Sequence, residues 1–144
     1  MKVEKQRVAV VPCSGIGKSL GTVTREAAYE LCDNLRPGDT RLVALSKLVL
    51  GDPEARERVL TSPAVTIDGC KQMCASKLVK HNGGMVALEF AVFDAFRNHK
   101  DLKPEGIADL NPEGEQLARV LAEEIAEHLN AILCSGTEQG GPHA

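Results

Sequence analysis

The stretch RVAVVP at residues 7–12 decides the fold. After Arg7 it contains no polar side chain and is rich in β-branched residues, which is typical of a strand buried on both faces. A glycine-rich turn, residues 13–21, follows, and residues 22–35 predict a helix with Thr22 or Thr24 as its N-cap. A buried strand that leads through a turn into a helix predicts the first unit of a parallel α/β sheet.

The same alternation continues along the chain. Apolar runs predict strands near residues 40–45, 64–67 and 85–90, and helical spacing predicts helices between and after them. Residues 40–50 predict a strand followed by a loop or a helical turn. Helices are predicted from Pro53 to about Leu60, capped by Asp52, and from about Lys71 to His81. Residues 91–98 fit either strand or helix, and a last helix is predicted from Asn111-Pro112 to about Leu133.

We therefore expect an α/β fold: a single-domain, Rossmann-like three-layer sandwich. It has about four mainly parallel strands, helices on both faces and an additional C-terminal helix. Residues 1–134 form this domain, and the polar, glycine-rich residues 135–144 are expected to be a disordered tail. The chain of 144 residues, 43% of them hydrophobic, is long enough to bury one core without disulfides.

Composition excludes several classes of partner. The chain has no Trp, one Tyr and three Phe, so it offers little aromatic surface on which bases could stack. Its 17 basic and 20 acidic residues give a net charge of -3, and no basic stripe stands out. We therefore expect no nucleic acid and no membrane as partner. A partner protein, or a small-molecule or sulfur ligand, fits better, and a homodimer stays open.

The cysteine count indicates metal or redox chemistry. The charged N-terminus is followed by an apolar run too short for a signal peptide, so we expect a cytoplasmic protein. Cytoplasmic thiols stay reduced, and the five cysteines are an odd number. Disulfides are therefore a poor explanation for them.

Three cysteines are expected at one edge of the sheet. Cys13 follows the first predicted strand, and Cys70 follows the third, at the start of the next predicted helix. Cys74 lies four residues after Cys70, so both sulfurs are expected on one side of the first turn of that helix. The carboxyl ends of parallel strands share one edge, where ligands of open α/β sheets bind. Three thiolates there suit zinc with an open fourth position, or an iron–sulfur cluster with one non-cysteine ligand. Taken singly, each cysteine is more often a small core residue, and only the expected convergence of the three favours a metal site.

The other two cysteines are expected to differ from these three. Cys32 lies near the far end of the first predicted helix and is interpreted as a core residue. Cys134 follows the last predicted helix, and it is kept as a candidate fourth ligand that requires this helix to pack near the site.

A phosphate-binding loop is the competing interpretation of the first turn. Gly15, Gly17, Lys18 and Ser19 carry the G-K-S portion of a P-loop, but Pro12 stands where that loop needs its first glycine. Asp68 would serve as its magnesium ligand, or would only cap the helix that follows. An anion held by backbone N–H groups and Lys18, or a plain glycine turn, both stay open.

The residues PCSG at 12–15, LVLGD at 48–52 and IDGC at 67–70 with Cys74 resemble the DGC-domain family of small prokaryotic proteins, described as zinc-binding. The resemblance extends from about Val8 to Gly84. It implies four chelating cysteines, of which Cys13, Cys70 and Cys74 match three, while Ala44 stands at the place of the remaining one. The fourth ligand is therefore open: water, Cys134, Asp68, a partner protein or a substrate sulfur.

These observations favour a metal-binding accessory protein that carries, delivers or uses a thiolate-bound zinc or iron–sulfur centre. An enzyme that uses the open metal position for sulfur or thiol chemistry is the first alternative, and a degenerate P-loop protein is the second. Which side chain would be catalytic is not indicated by the sequence.

Overall fold

A computed structural model describes residues 7–13, 15 and 17–139, with residues 134–139 described by their backbone alone. Its centre is a four-stranded sheet in the order β2-β1-β3-β4, and all three strand pairings are parallel. The strands are β1 (Val8–Pro12), β2 (Thr40–Leu42), β3 (Ala64–Asp68) and β4 (Val86–Ala91). The helices are α1 (Ser19–Tyr29, continued by a π-helical segment, Glu30–Leu35), α2 (Leu45–Leu50), α3 (Pro53–Thr61), α4 (Cys74–His81), α5 (Val92–Asn98) and α6 (Pro112–Gln139).

The predicted fold class is confirmed. The two central strands, β1 and β3, are buried at every position, as their unbroken apolar runs require of strands covered on both faces. The edge strands differ from them, since β2 has only three residues and β4 is mostly half-buried. The sheet therefore has its most protected backbone in its middle, where β1 and β3 end side by side.

Helices cover the two faces of the sheet in separate sets. One face packs against α1, α5 and α6 in a first core that includes Val10, Val23, Ile67 and Leu121. The other face packs against α2, α3 and α4 in a second core that includes Val11. The chain thus leaves β1 toward one face, and leaves both β2 and β3 toward the opposite face.

Two helix starts differ from the prediction. Helix α1 begins at Ser19, so Thr22 and Thr24 lie inside it and are not N-caps. Gly17, with φ +85°, and an extended Lys18 end the turn earlier than expected. Helix α4 begins at Cys74 rather than near Lys71, because the residues before it form a separate turn.

The remaining segments agree with the sequence except at the C-terminus. Asp52 caps α3 as expected by accepting a hydrogen bond from the Ala55 N–H at 3.0 Å, and residues 92–98 are helical. Helix α6 continues to Gln139 instead of ending near Leu133. The rest of the expected tail, residues 140–144, lies outside the described residues.

No helix within the described ranges is both long and apolar enough to cross a bilayer.

Candidate functional site at the carboxyl edge of the sheet

The expected neighbourhood of the first and third strand ends is confirmed. Pro12 at the end of β1 is in register with Ile67 in β3, and the Cys13 N–H donates to the Ile67 carbonyl oxygen at 2.9 Å. This last rung of the ladder brings the turn after β1 against the turn after β3. Cys13 and Gly69 are 56 residues apart in sequence and are in direct contact.

The Cys13 thiol is buried and already has polar partners. Only 7% of the residue is exposed. Its Sγ accepts a hydrogen bond from the Gly69 N–H at 3.3 Å and lies 3.7 Å from the Thr24 hydroxyl oxygen. The Thr24 hydroxyl is itself 2.6 Å from the Gly21 carbonyl oxygen, which fixes it beside the sulfur. A backbone N–H directed at sulfur favours the thiolate form.

Burial nevertheless dominates the titration of Cys13. Removal from water raises the pKa of this thiol above its ordinary value, while the hydrogen bonds from Thr24 and Gly69 oppose that rise. The charges of Asp68 and Cys70 raise the pKa further. Without a cation nearby, Cys13 is therefore a neutral thiol at pH 7.

Three glycines make the approach of the two turns possible. A β-carbon on Gly21 would overlap the backbone of Gly15, and one on Gly69 would lie 3.2 Å from the Gly21 nitrogen. The turn after β1, the start of α1 and the turn after β3 therefore meet backbone to backbone. This contact positions the Gly69 N–H toward the Cys13 sulfur. The sequence analysis missed the role of Gly21, whose only signal is its place among closely spaced glycines.

Cys70 and Cys74 do not share a helical face as expected. Cys70 is half-buried in the turn that follows β3, whereas Cys74 is exposed as the first residue of α4. Met73 between them has φ +51° and is, within the described part of the chain, the one non-glycine residue with a positive φ. Met73 therefore has a left-handed backbone conformation, which costs a non-glycine residue about 1–2 kcal/mol.

Asp68 caps α4 from the end of β3, which confirms one of its three expected roles. Its carboxylate accepts hydrogen bonds from the Ala75 N–H at 2.8 Å and the Ser76 N–H at 3.3 Å. Burial raises the pKa of Asp68, these two bonds oppose the rise, and the charge of Glu89 adds to it. The Ser76 hydroxyl joins Thr66 and Glu89 in the same network. Both carboxylate oxygens of Asp68 are therefore engaged, which leaves this residue poorly suited to hold magnesium.

The segment considered as a phosphate-binding loop forms a tight turn. Gly15 and Gly17 both have positive φ, the Lys18 N–H donates to the Gly15 carbonyl oxygen at 3.2 Å, and Ser19 begins α1. Ser14 and Ile16 lie outside the described residues. Binding of an anion at this turn stays a prediction.

The two other cysteines lie away from this edge. Cys32 is in the π-helical segment, packs against the first core and has a pKa raised by burial. Cys134 follows Asn130, whose side chain accepts a hydrogen bond from Arg36 just before β2 begins. The helix therefore gives no support to Cys134 as the fourth ligand, and its side chain lies outside the described residues.

The donor set fits a thiophilic metal, but the site is incomplete. Thiolates select zinc and iron–sulfur clusters. Cys13 and Cys70 lie in the two adjoining turns, and Cys74 begins α4. Among the residues that the structure describes, however, no group of three or more His, Cys, Asp or Glu is arranged to hold a metal ion.

The parallel sheet with helices on both faces is a Rossmann-like α/β fold. A buried cysteine, Cys13, lies at the carboxyl end of its central strand β1. Within that class, the chain belongs to the DGC domain family, whose model matches residues 9–123. No curated protein and no solved structure matches the chain.

Proposed function

We propose that this protein binds one thiophilic metal centre, zinc in the first place, through Cys13, Cys70 and Cys74 and acts as a metal-binding accessory protein. The observation that carries the proposal is the hydrogen bond from the Gly69 N–H to the buried Cys13 sulfur, beside Cys70. Membership in the DGC domain family supports the shared architecture. An iron–sulfur cluster is the alternative centre, since its ligands are the same thiolates.

A cation would reverse the electrostatics of Cys13. The apo thiol is neutral because burial and the nearby acidic groups raise its pKa. A divalent ion beside the sulfur favours the thiolate, and its proton is released on binding. The N–H of Gly69 then stabilises the negative sulfur. The same environment that suppresses charge in the apo protein therefore supports a metal thiolate.

The turn between Cys70 and Met73 is the part of the site that must move. Gly69 on one side is fixed to Cys13, and Ala75 on the other side is fixed to Asp68. The residues between these two anchors include the left-handed Met73, so the apo conformation of the turn is strained. Formation of Zn–S bonds of about 2.3 Å would compensate for the rearrangement of this short turn.

The fourth position is proposed to come from outside the described residues. Asp68 is committed to capping α4, and Ala44 stands where the family resemblance implies a cysteine. A small-molecule or sulfur ligand, or a side chain of a partner protein, would then complete the coordination. An open position of this kind also suits catalysis on a thiol or water, which keeps an enzymatic role as the second form of the proposal.

Metal analysis of the full chain tests this proposal. The protein is purified without oxygen, and its zinc and iron are measured together with its visible absorption, since iron–sulfur clusters absorb and zinc does not. We expect about one equivalent of zinc, or the iron of one cluster. The variant Cys70→Ser should lose at least about 90% of it, because each thiolate ligand contributes strongly to affinity.

Cys32→Ser is the matched control, since it removes a partly buried thiol remote from the carboxyl edge. It should keep the metal content of the unaltered chain. Stoichiometric metal retained in the triple variant Cys13→Ser, Cys70→Ser, Cys74→Ser would contradict the proposal. Equal loss of metal in Cys32→Ser and Cys70→Ser would contradict it as well.

A further inference from the structure

The end of β1 borders two crevices, and they differ in whether a molecule could enter. The chain leaves β1 toward the face of α1, but leaves the neighbouring strands β2 and β3 toward the opposite face. Adjacent parallel strands whose helices diverge in this way leave a crevice beyond their carboxyl ends, where ligands of α/β sheets bind. The order β2-β1-β3 creates one such crevice on each side of β1.

The crevice between β1 and β3 is filled by the protein itself. Gly69 lies against Leu20 and Gly21 so closely that an added β-carbon would be 3.2 Å from their backbone atoms. The crevice between β1 and β2 stays open and forms a half-open cavity of about 150 Å³. It is lined by Pro12 and Cys13 from β1 and its turn, Arg25 and Tyr29 from α1, and Leu42, Ala44, Leu45 and Ser46 from β2 and the start of α2.

The lining defines the chemistry of an occupant. Tyr29 and Leu42 are 41% and 36% exposed although they are large apolar residues, and both border this cavity. Among the described residues that line it, Arg25 alone carries a charge, and Ser46 adds a hydroxyl group. One guanidinium nitrogen of Arg25 donates to the Thr22 hydroxyl at 3.2 Å, and the Thr22 hydroxyl donates to the Ile107 carbonyl oxygen, so the orientation of the guanidinium is set by these contacts.

We propose that this cavity is a binding site for a small carboxylate with a compact apolar body. The body would pack on Tyr29 and Leu42, and the carboxylate would pair with the Arg25 guanidinium, whose fork of N–H donors matches a carboxylate. The size agrees, because a cavity of about 150 Å³ accommodates a molecule as large as benzene. Ala44 contributes only a methyl group, and that absence of bulk leaves the space for the ligand.

The cavity shares Cys13 with the proposed metal centre but extends from it in the other direction. It lies on the β2 side of Cys13, whereas Gly69 and Cys70 lie on the β3 side. The binding energy would come from Arg25 and the apolar walls, and it does not require an ion at the thiols. Binding is therefore measured both on the chain as purified and on the chain treated with a chelator.

Titration of the ¹⁵N-labelled full chain with isovalerate tests the inference. We expect a dissociation constant of about millimolar order, as is usual for so small a ligand, with the largest amide shifts at Cys13, Arg25, Ala44 and Ser46. The neutral amide of the same shape, isovaleramide, should bind about tenfold more weakly, because it lacks the charge that pairs with Arg25. Equal binding of the two probes would overturn the proposal.

Two variants and one control complete the test. Arg25→Gln should weaken isovalerate binding about tenfold, and Ala44→Leu should abolish it by filling the cavity. Arg41→Gln is the control, since Arg41 is a neighbouring arginine on β2 that does not line the cavity. Unchanged affinity in Arg25→Gln would overturn the inference. The absence of amide shifts at the four residues, at isovalerate concentrations well above millimolar, would also overturn it. Both outcomes can be read even if Ala44→Leu fails to fold.

Discussion

Helix α1 has a cysteine near each end, and the comparison of the two shows what makes a thiol a candidate ligand. Both Cys13 and Cys32 have a pKa raised by burial, and each interacts with a threonine hydroxyl, Thr24 in one case and Thr40 in the other. Cys32 packs against the first core in a π-helical segment. Cys13 also belongs to a core, the second one, but its sulfur additionally accepts a hydrogen bond from the Gly69 N–H of a distant turn.

The difference arises from the backbone rather than from the cysteines. At the start of α1 two turns from distant parts of the sequence meet through glycines, whereas the far end of the helix leads into a single turn toward β2. Burial alone therefore describes an inert thiol. A thiol that is buried where distant chain segments meet can bind a metal together with donor groups from those segments. Four predictions test that comparison, from the largest expected effect to the smallest.

The largest effect is expected from closing the glycine contact. Gly21→Ala places a methyl group on the Gly15 backbone, and the free energy of unfolding should fall by about 3 kcal/mol as the two turns separate. Gly38→Ala, beyond the far end of the helix, is the control: no atom lies within 4 Å of its β-carbon, so it should change stability by less than about 1 kcal/mol. Urea denaturation measures both, and equal effects would show that the glycine contact is not special.

The cap that holds α4 at this edge should come second. Asp68→Ala leaves two buried backbone N–H groups without an acceptor and should cost about 2–3 kcal/mol. Asp52→Ala removes the corresponding cap of α3, which has one such bond at a more exposed position, and should cost about 1 kcal/mol. The two free energies of unfolding are compared under one set of conditions. A smaller loss for Asp68→Ala than for Asp52→Ala would contradict the prediction.

The two threonines provide a closer match. Thr24→Val and Thr40→Val each remove one buried hydroxyl, and each should cost about 1 kcal/mol. Thr24→Val alone should also raise the pKa of Cys13 further, since it removes a hydrogen bond that lowers it. The rate of Cys13 alkylation against pH, followed by mass spectrometry of peptides, checks this. A shift of the Cys13 profile in Thr40→Val would break the comparison.

The smallest effect concerns stability in alkaline solution. The folded state holds the proton of Cys13 more tightly than the unfolded chain, because burial raises the pKa of the thiol. This contribution to stability is complete below the ordinary pKa of a thiol and is lost as pH rises through the raised value. Cys32 has a pKa shifted in the same direction.

Cys13→Ala and Cys32→Ala should therefore each reduce the alkaline loss of stability in the metal-free protein. With zinc bound, only Cys13→Ala should change the number of protons released, by about one. Calorimetric titration of zinc in two buffers of different ionisation enthalpy measures this number. Equal proton release by the two variants would remove the distinction between the two ends of α1.

The sequence predicted the fold because its signals were local. The run at residues 7–12 has no polar interruption, and Asp52-Pro53 is a helix start that needs no tertiary context. The meeting of Cys13 with the turn after β3 followed from parallel topology alone. These predictions depend on patterns within short segments and on one general rule for strand order.

The predictions failed where tertiary contacts decide a boundary. The sequence predicts the start of α4 near Lys71, but the helix begins at Cys74 and Asp68 caps it from several residues upstream. The expectation that Cys70 and Cys74 share a helical face failed for the same reason. The open cavity beside Arg25 had no signal in the sequence, since it depends on which face each helix covers.

The capping of α4 by Asp68 has a further consequence for how the edge can evolve. Since a strand residue holds the helix directly, the intervening loop is relieved of its role as a structural connector. Lys71 and Gln72 can therefore vary in kind and size while the scaffold stays in register, whereas position 73, with φ +51°, favours residues that accept a left-handed backbone. Related chains would then differ in the sequence of this loop while the sheet and α4 keep the same structure.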